Sequence, residues 1–286
     1  MKPYLPRSPI FRALALAVST LAMSAAPQAE TLASPWVQGY NNKARLIAGT
    51  VTNAVADQQP RIAGVEIVMP AGWKTYWRNP GEAGGVPPEF DWTGSENLKD
   101  PVVLYPAPHR YSDKSGLTIG YKEHVIFPVR FVAADPAKLV KIKLKATYGA
   151  CKELCVPAEA ELELTVPVEV AASQELSDVL ASVPVAQKSA SAGAPKLKNS
   201  RVEAPGNKPK LVLDVEDPGM TGGDAFVFSS DGIYLPLPKK ISEANGDAVY
   251  EVDLSDDFKS LRGKSINLTL TGVKGHSDTL IEIPSQ

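Results

Sequence analysis

The strictest pattern in this chain is the alternation of Val140–Thr147 (VKIKLKAT) and Glu159–Val166 (EAELELTV), where every second side chain is apolar. A period of two gives a strand one wet face and one buried face, and it cannot be laid along a single face of a helix. The runs Arg61–Met69 and Val125–Val132 are short, rich in β-branched residues and closed by turn formers. With 25 Pro and 21 Gly spread between such runs, long helices have little room. From about Trp36 to Val170 the spacing predicts a β-sandwich. Gln174–Val183 carries apolar residues at helical spacing, and Gln187–Pro195 is an Ala/Ser/Gly-rich stretch without large side chains, read as a linker. Beyond Arg201, strand patterns resume at Lys210–Val215, Ala225–Phe228, Ile233–Leu237, Val249–Leu254, Ser265–Leu270 and Leu280–Ile283. The expected class is all-β, divided into a sandwich over 30–170, a short helix and linker over 171–199, and a second, smaller β domain over 200–286.

Residues 1–12 hold three positive charges and no acid, and Ala13–Ala26 is an apolar run of small residues and leucines. That order reads as a secretory leader over 1–29, too short to span a bilayer, with cleavage expected between Ala26 and Glu30. No cysteine lies near it to accept a lipid, and no later stretch is apolar for long enough to cross a membrane. The expected product is soluble and exported, in a compartment where disulfides persist.

Composition removes other classes. A 44% hydrophobic chain of 286 residues can bury a core, and the absence of a glycine period excludes collagen. The net charge is −2, and about −5 once Lys2, Arg7 and Arg12 are removed, without a basic run. Nucleic acid and anionic lipid are poor partners for such a surface. No phosphate loop, nucleophile elbow or metalloprotease helix is present, and no cofactor is expected.

The two cysteines, Cys151 and Cys155, stand in ATYGACKELCVP between strand-like segments, with Gly149–Pro157 expected as the connection. A bond there closes a short loop, which in the chain-entropy model contributes only about 2 kcal/mol. Three readings stay open on the residues alone: a redox-active pair, a structural disulfide in a binding or assembly module, and a Cu(I) clip. None of His109, His124 and His276 lies at ligand spacing from the pair, and no Trp-Cys-x-x-Cys or βαβ pattern marks a thioredoxin. Lys152 favours a thiolate and Glu153 opposes it.

Three segments carry a resemblance: Gly72–Trp92 (GWKTYWRNPGEAGGVPPEFDW), Tyr105–Arg130 with YPAPHRY, Gly120-Tyr121 and FPV, and Cys151–Pro157 (CKELCVP). In this order they resemble the amino-terminal domain of the DsbD family of membrane thiol:disulfide interchange proteins, over roughly Trp36 to Val170. The resemblance implies an immunoglobulin-like sandwich in the periplasm that relays electrons between a membrane thiol reductase and thioredoxin-like envelope proteins. By the family's pattern Cys155 forms the mixed disulfide and Cys151 resolves it. A cap loop corresponds to about His109–Tyr121, with Tyr111 or Leu117 as the shield. The cysteine spacing is shorter than in the best-known member. No polytopic membrane segment or thioredoxin-like end is visible, so electrons are expected from a separate reductase. The resemblance does not extend to Arg201–Gln286.

Trp73, Tyr76, Trp77 and Trp92 read first as core aromatics, with a partner-facing surface as the alternative. Arg78-Asn79-Pro80-Gly81 reads as a turn. Asp256-Asp257 and the Glu82, Glu89 pair read as solvated surface.

Overall fold

A computed structural model describes Met1 and residues 31–51, 61–113, 116–204, 208–219, 222–256 and 258–285. The expected leader, apart from Met1, lies outside the described residues. Twelve described strands come first: β1 (Leu32–Ala33), β2 (Val37–Gly39), β3 (Asn42–Thr50), β4 (Arg61–Val68), β5 (Lys74–Tyr76), β6 (Glu89–Asp91), β7 (Leu98–Val103), β8 (His109–Asp113), β9 (Gly116–Lys122), β10 (His124–Ala133), β11 (Val140–Cys151) and β12 (Cys155–Val166). Helix α1 (Gln174–Ala181) follows. Then come β13 (Val185–Ala186), β14 (Lys196–Glu203), β15 (Lys210–Glu216), β16 (Asp224–Phe228), β17 (Lys239–Ala244), β18 (Asp247–Asp253), the short helix α2 (Phe258–Leu261), β19 (Ser265–Gly272) and β20 (Gly275–Glu282). The fold is all-β and immunoglobulin-like in its first part, as the alternation and the resemblance led us to expect.

The first twelve strands make two six-stranded sheets. One runs β1-β3-β4-β10-β7 with β2 on β3; the other runs β12-β11-β5-β9-β8 with β6 on β11. Alternation decides what lies between them. Ile142, Leu144, Tyr148, Leu162 and Leu164 from β11 and β12 meet Leu46, Val65, Ile67, Phe127 and Val129 in one buried cluster. Lys141, Lys143 and Lys145 of β11, with Glu159, Glu161 and Glu163 of β12, face outward. The β3, β4 and β10 strands are apolar on their second face too, because α1 covers it: Leu176 is buried against Ile47, Ile62 and Ile126. Gly64 sits beneath that helix, where a Cβ would come within 2.9 Å of Leu176. Ser173 caps the helix, its hydroxyl accepting from the Leu176 amide at 3.2 Å.

A second pair of four-stranded sheets, β13-β20-β19-β16 and β14-β15-β18-β17, encloses its own core of Leu211, Leu213, Tyr250, Ile266, Leu268 and Leu270. Ile233–Leu237, expected as a strand, joins no sheet, although Leu235 and Leu237 are buried. Pro236 and Pro238 remove the ladder donors a strand there would need. The stretch 187–195 lies against this unit: Ala194 is buried and the Ser191 hydroxyl donates to the Lys274 carbonyl at 2.9 Å.

The two units meet along the segment after β5. Trp77 is buried edge-on to Phe226 and Phe228, with ring centroids 5.8 and 5.4 Å away. The buried Asn79 amide donates to the Val227 carbonyl at 2.8 Å. Arg110 grips Asp224 with two donors at 2.9 and 3.0 Å and also donates to the Ala225 and Pro238 carbonyls. The turn reading of Arg78–Gly81 thus covers only part of its role, since this turn carries the inter-unit contact.

Candidate redox site

The β11–β12 ladder pairs residues without a break from Val140↔Val166 to Cys151↔Cys155. Only Lys152, Glu153 and Leu154 remain as the turn, so the connection is shorter than the Gly149–Pro157 expected from sequence. Pro157 is accommodated because β12 is an edge strand, where a missing N–H breaks no inner ladder. Cys151 and Cys155 are bonded across the end of this hairpin, with Cα atoms 4.1 Å apart. Their surroundings differ: Cys151 is 1% exposed, whereas Cys155 lies on the exposed side of the turn. Leu154, between them at the tip, is 80% exposed.

Strand β5 lies beside Cys151 and supplies two groups. Lys74 stands directly opposite Cys151, and paired positions carry side chains on the same face, with Cβ atoms about 5 Å apart. The Lys74 ammonium is buried and donates to the Thr118 hydroxyl at 3.2 Å. Two residues on, the buried Tyr76 hydroxyl donates to Cys151 Sγ at 3.0 Å and lies 2.9 Å from Cys155 Sγ. The Tyr76 ring is held between two glycines. A Cβ on Gly149 would approach its Cε2 to 3.0 Å, and one on Gly85, whose φ is +148°, would collide with the ring. The Gly149 amide donates to the Val86 carbonyl at 3.0 Å, tying the Gly-Gly-Val loop to the base of the hairpin. Sequence reading placed Tyr76 among core aromatics and passed over Lys74. The signal lay in the register, which no local pattern reveals.

Other sequence candidates fall elsewhere. Tyr111 on β8 and Leu117 on β9 are half-buried on a hairpin that β5 separates from β11. Lys122 lies over the Tyr111 ring at 4.4 Å, Leu117 packs against the first core, and no described contact joins either residue to the sulfurs. Burial raises the Tyr111 hydroxyl above its ordinary pKa. Lys152, the cation read as favouring a thiolate, turns its stem toward Gly72. Trp73 is half-buried and edge-on to the exposed Tyr40, with centroids 6.1 Å apart. Trp92 stacks on Phe90. His109, His124 and His276 line one 380 Å³ cleft that neither cysteine enters. A 680 Å³ cleft lined by Val51, Arg61, Phe131 and Leu180 likewise excludes them.

The arrangement is a buried cysteine bonded to an exposed one, with a hydroxyl donor within reach of both sulfurs. Nucleophilic attack on Cys155 would expel Cys151 as a thiolate, and a hydrogen bond to that sulfur favours its charged form. The turn residues Lys152, Glu153 and Leu154 beside Cys155 are all exposed.

Residues 43–167 match the family model of the amino-terminal part of the thiol:disulfide interchange protein DsbD. That stretch runs from β3 to the end of β12, so the similarity to DsbD covers the first sandwich. The chain is also similar to the crystal structure of the N-terminal periplasmic domain of ScsB from Proteus mirabilis, 20% identical with a TM-score of 0.67. That likeness covers 90% of this chain and 100% of the other, so the shared fold continues past the DsbD match into the second unit. No curated protein matches the chain in sequence. Among the described residues no helix is long and apolar enough to cross a membrane.

Proposed function

We propose that this protein is a periplasmic dithiol carrier that takes electrons from a membrane thiol reductase and hands them to thioredoxin-like envelope proteins. The observation that carries this reading is the unequal burial of the bonded pair, with Cys155 exposed and Cys151 buried under the Tyr76 hydroxyl. In the loading step a reductase thiolate attacks Cys155 Sγ, the Cys151–Cys155 bond breaks, and Cys151 leaves as a thiolate that takes up a proton. A second reductase thiolate then attacks the mixed disulfide and frees Cys155, leaving the reductase oxidised by two electrons. Delivery is the reverse chemistry on an oxidised partner: Cys155 attacks, and Cys151 resolves the mixed disulfide.

The likeness to the DsbD amino-terminal family and the ladder support exchange over stapling. Eleven residue pairs already hold β11 to β12 before the cysteines are reached, so a bond at the tip constrains little that is not paired. We assign the exchange site to a domain over 30–170, reached after export on the leader 1–29, and leave 200–286 as the docked companion domain. The cap role expected for the β8–β9 hairpin with Tyr111 and Leu117 acts, in this reading, through β5 rather than by contact with the sulfurs. The hairpin is tied to the sulfurs through Tyr76, whose strand partner is Gly120. Cys151→Ala leaves Cys155 without its resolving thiol, and is expected to accumulate disulfide-linked adducts with thioredoxin-like envelope proteins. Their absence from folded Cys151→Ala protein refutes the proposal.

A further inference from the structure

The outer face of the first sheet holds a cluster that disulfide exchange does not use. Glu66 on β4 is buried, and its carboxylate accepts from Arg45 Nε at 2.6 Å and lies 3.0 Å from His124 Nε2 on β10. Glu175, in the first turn of α1, brings a second carboxylate to the same place. One donor atom from each of Glu66, His124 and Glu175 lies within 4.8 Å of the other two. The register explains the convergence. Arg45 is paired with Glu66, Ile126 with Glu66, and His124 is two residues from Ile126, so these side chains share the face that α1 covers. Arg45 and His124 already pair with Glu66, whereas Glu175 adds a second carboxylate to the same place that the packing of Leu176 does not require.

We propose that Glu66, His124 and Glu175 form a binding site for a divalent transition-metal ion of the zinc class, anchoring α1 to the sheet. One imidazole nitrogen and two carboxylate oxygens are a borderline donor set that suits zinc and leaves one position open. Metal–ligand distances of about 2.0–2.2 Å place neighbouring tetrahedral donors about 3.5 Å apart, so the present spacing closes by small rotamer changes. Arg45 supplies the outer contact: it holds one Glu66 oxygen and leaves the other for the ion, as partners of ligating carboxylates do. The His124 side chain is 50% exposed, so the site is open to solvent for an entering ion. Binding replaces the hydrogen bond between His124 and Glu66 and releases the imidazole's proton when it carries one.

The test uses the oxidised, untagged protein, whose bonded cysteines cannot ligate, titrated calorimetrically with Zn²⁺ alone. One ion per chain is expected, with a rise in melting temperature as Zn²⁺ is added. His124→Gln and Glu175→Gln, at half-exposed positions that leave the core intact, are each expected to weaken binding by more than about 10-fold. Glu153→Gln, at the exposed hairpin tip, should leave it unchanged. The proposal is overturned by no saturable uptake up to roughly 0.1 mM Zn²⁺, or by either ligand variant binding as the parent does.

Discussion

Tyr76→Phe isolates what the hydroxyl beneath the disulfide does. The ring is gripped by Gly85 and Gly149 and stays in place when its oxygen is removed, so the substitution deletes the hydroxyl's contacts with the two sulfurs and little packing. In the oxidised protein those contacts end on neutral sulfurs and are weak. When Cys155 is attacked, the bond breaks toward Cys151, whose sulfur gains negative charge. A hydrogen bond to a charged group contributes about 1.5–3 kcal/mol. With about half the charge developed at the transition state, roughly 1 kcal/mol is lost, which slows reduction about fivefold. Stopped-flow reduction by dithiothreitol gives the rate. The pH profile of Cys151 alkylation in the reduced protein gives a second readout, expected to move up by about one pKa unit. A parent-like rate together with an unshifted alkylation profile refutes the assigned role of Tyr76.

Other expectations follow from the packing and the titrating groups. Trp77→Ala empties the junction against Phe226 and Phe228 and is expected to cost about 3–5 kcal/mol in denaturant unfolding. A loss under about 1 kcal/mol would contradict the docked arrangement of the two units. His276 is held below the ordinary imidazole range, by burial first and by neighbouring His109 second. The unfolded chain therefore binds that proton more readily than the folded one. The associated stability is complete above about pH 6.5 and lost as pH falls through the lower folded value. His276→Gln should flatten the decline between about pH 7 and pH 5 in denaturant melts, and an unchanged decline would refute the assignment.

Much of the fold was legible because strand alternation is local. VKIKLKAT and EAELELTV declare which side chains turn inward, and the structure buries those same residues. The helix at Gln174–Ala181 showed its spacing in the same way. What escaped was set by non-local pairing. Lys239–Ala244 forms β17 with every residue exposed, so it carries no apolar signature and owes its state to its neighbour β18. Ile233–Leu237 shows the opposite failure, apolar enough for a strand but stripped of donors by proline. At the candidate site the cysteines were plain from their chemistry. Tyr76 and Lys74 reach Cys151 only because β5 is inserted between β11 and β9, an order that no local run of residues encodes.

Equilibrating the purified protein against a graded series of reduced and oxidised glutathione, then counting free thiols, measures the property on which the carrier role stands. The account predicts a reversible two-electron transition at Cys151 and Cys155 with a potential above about −300 mV, where envelope thiols can drive it in both directions. A bond that stays closed until well below that potential would make the pair a structural staple and contradict the account.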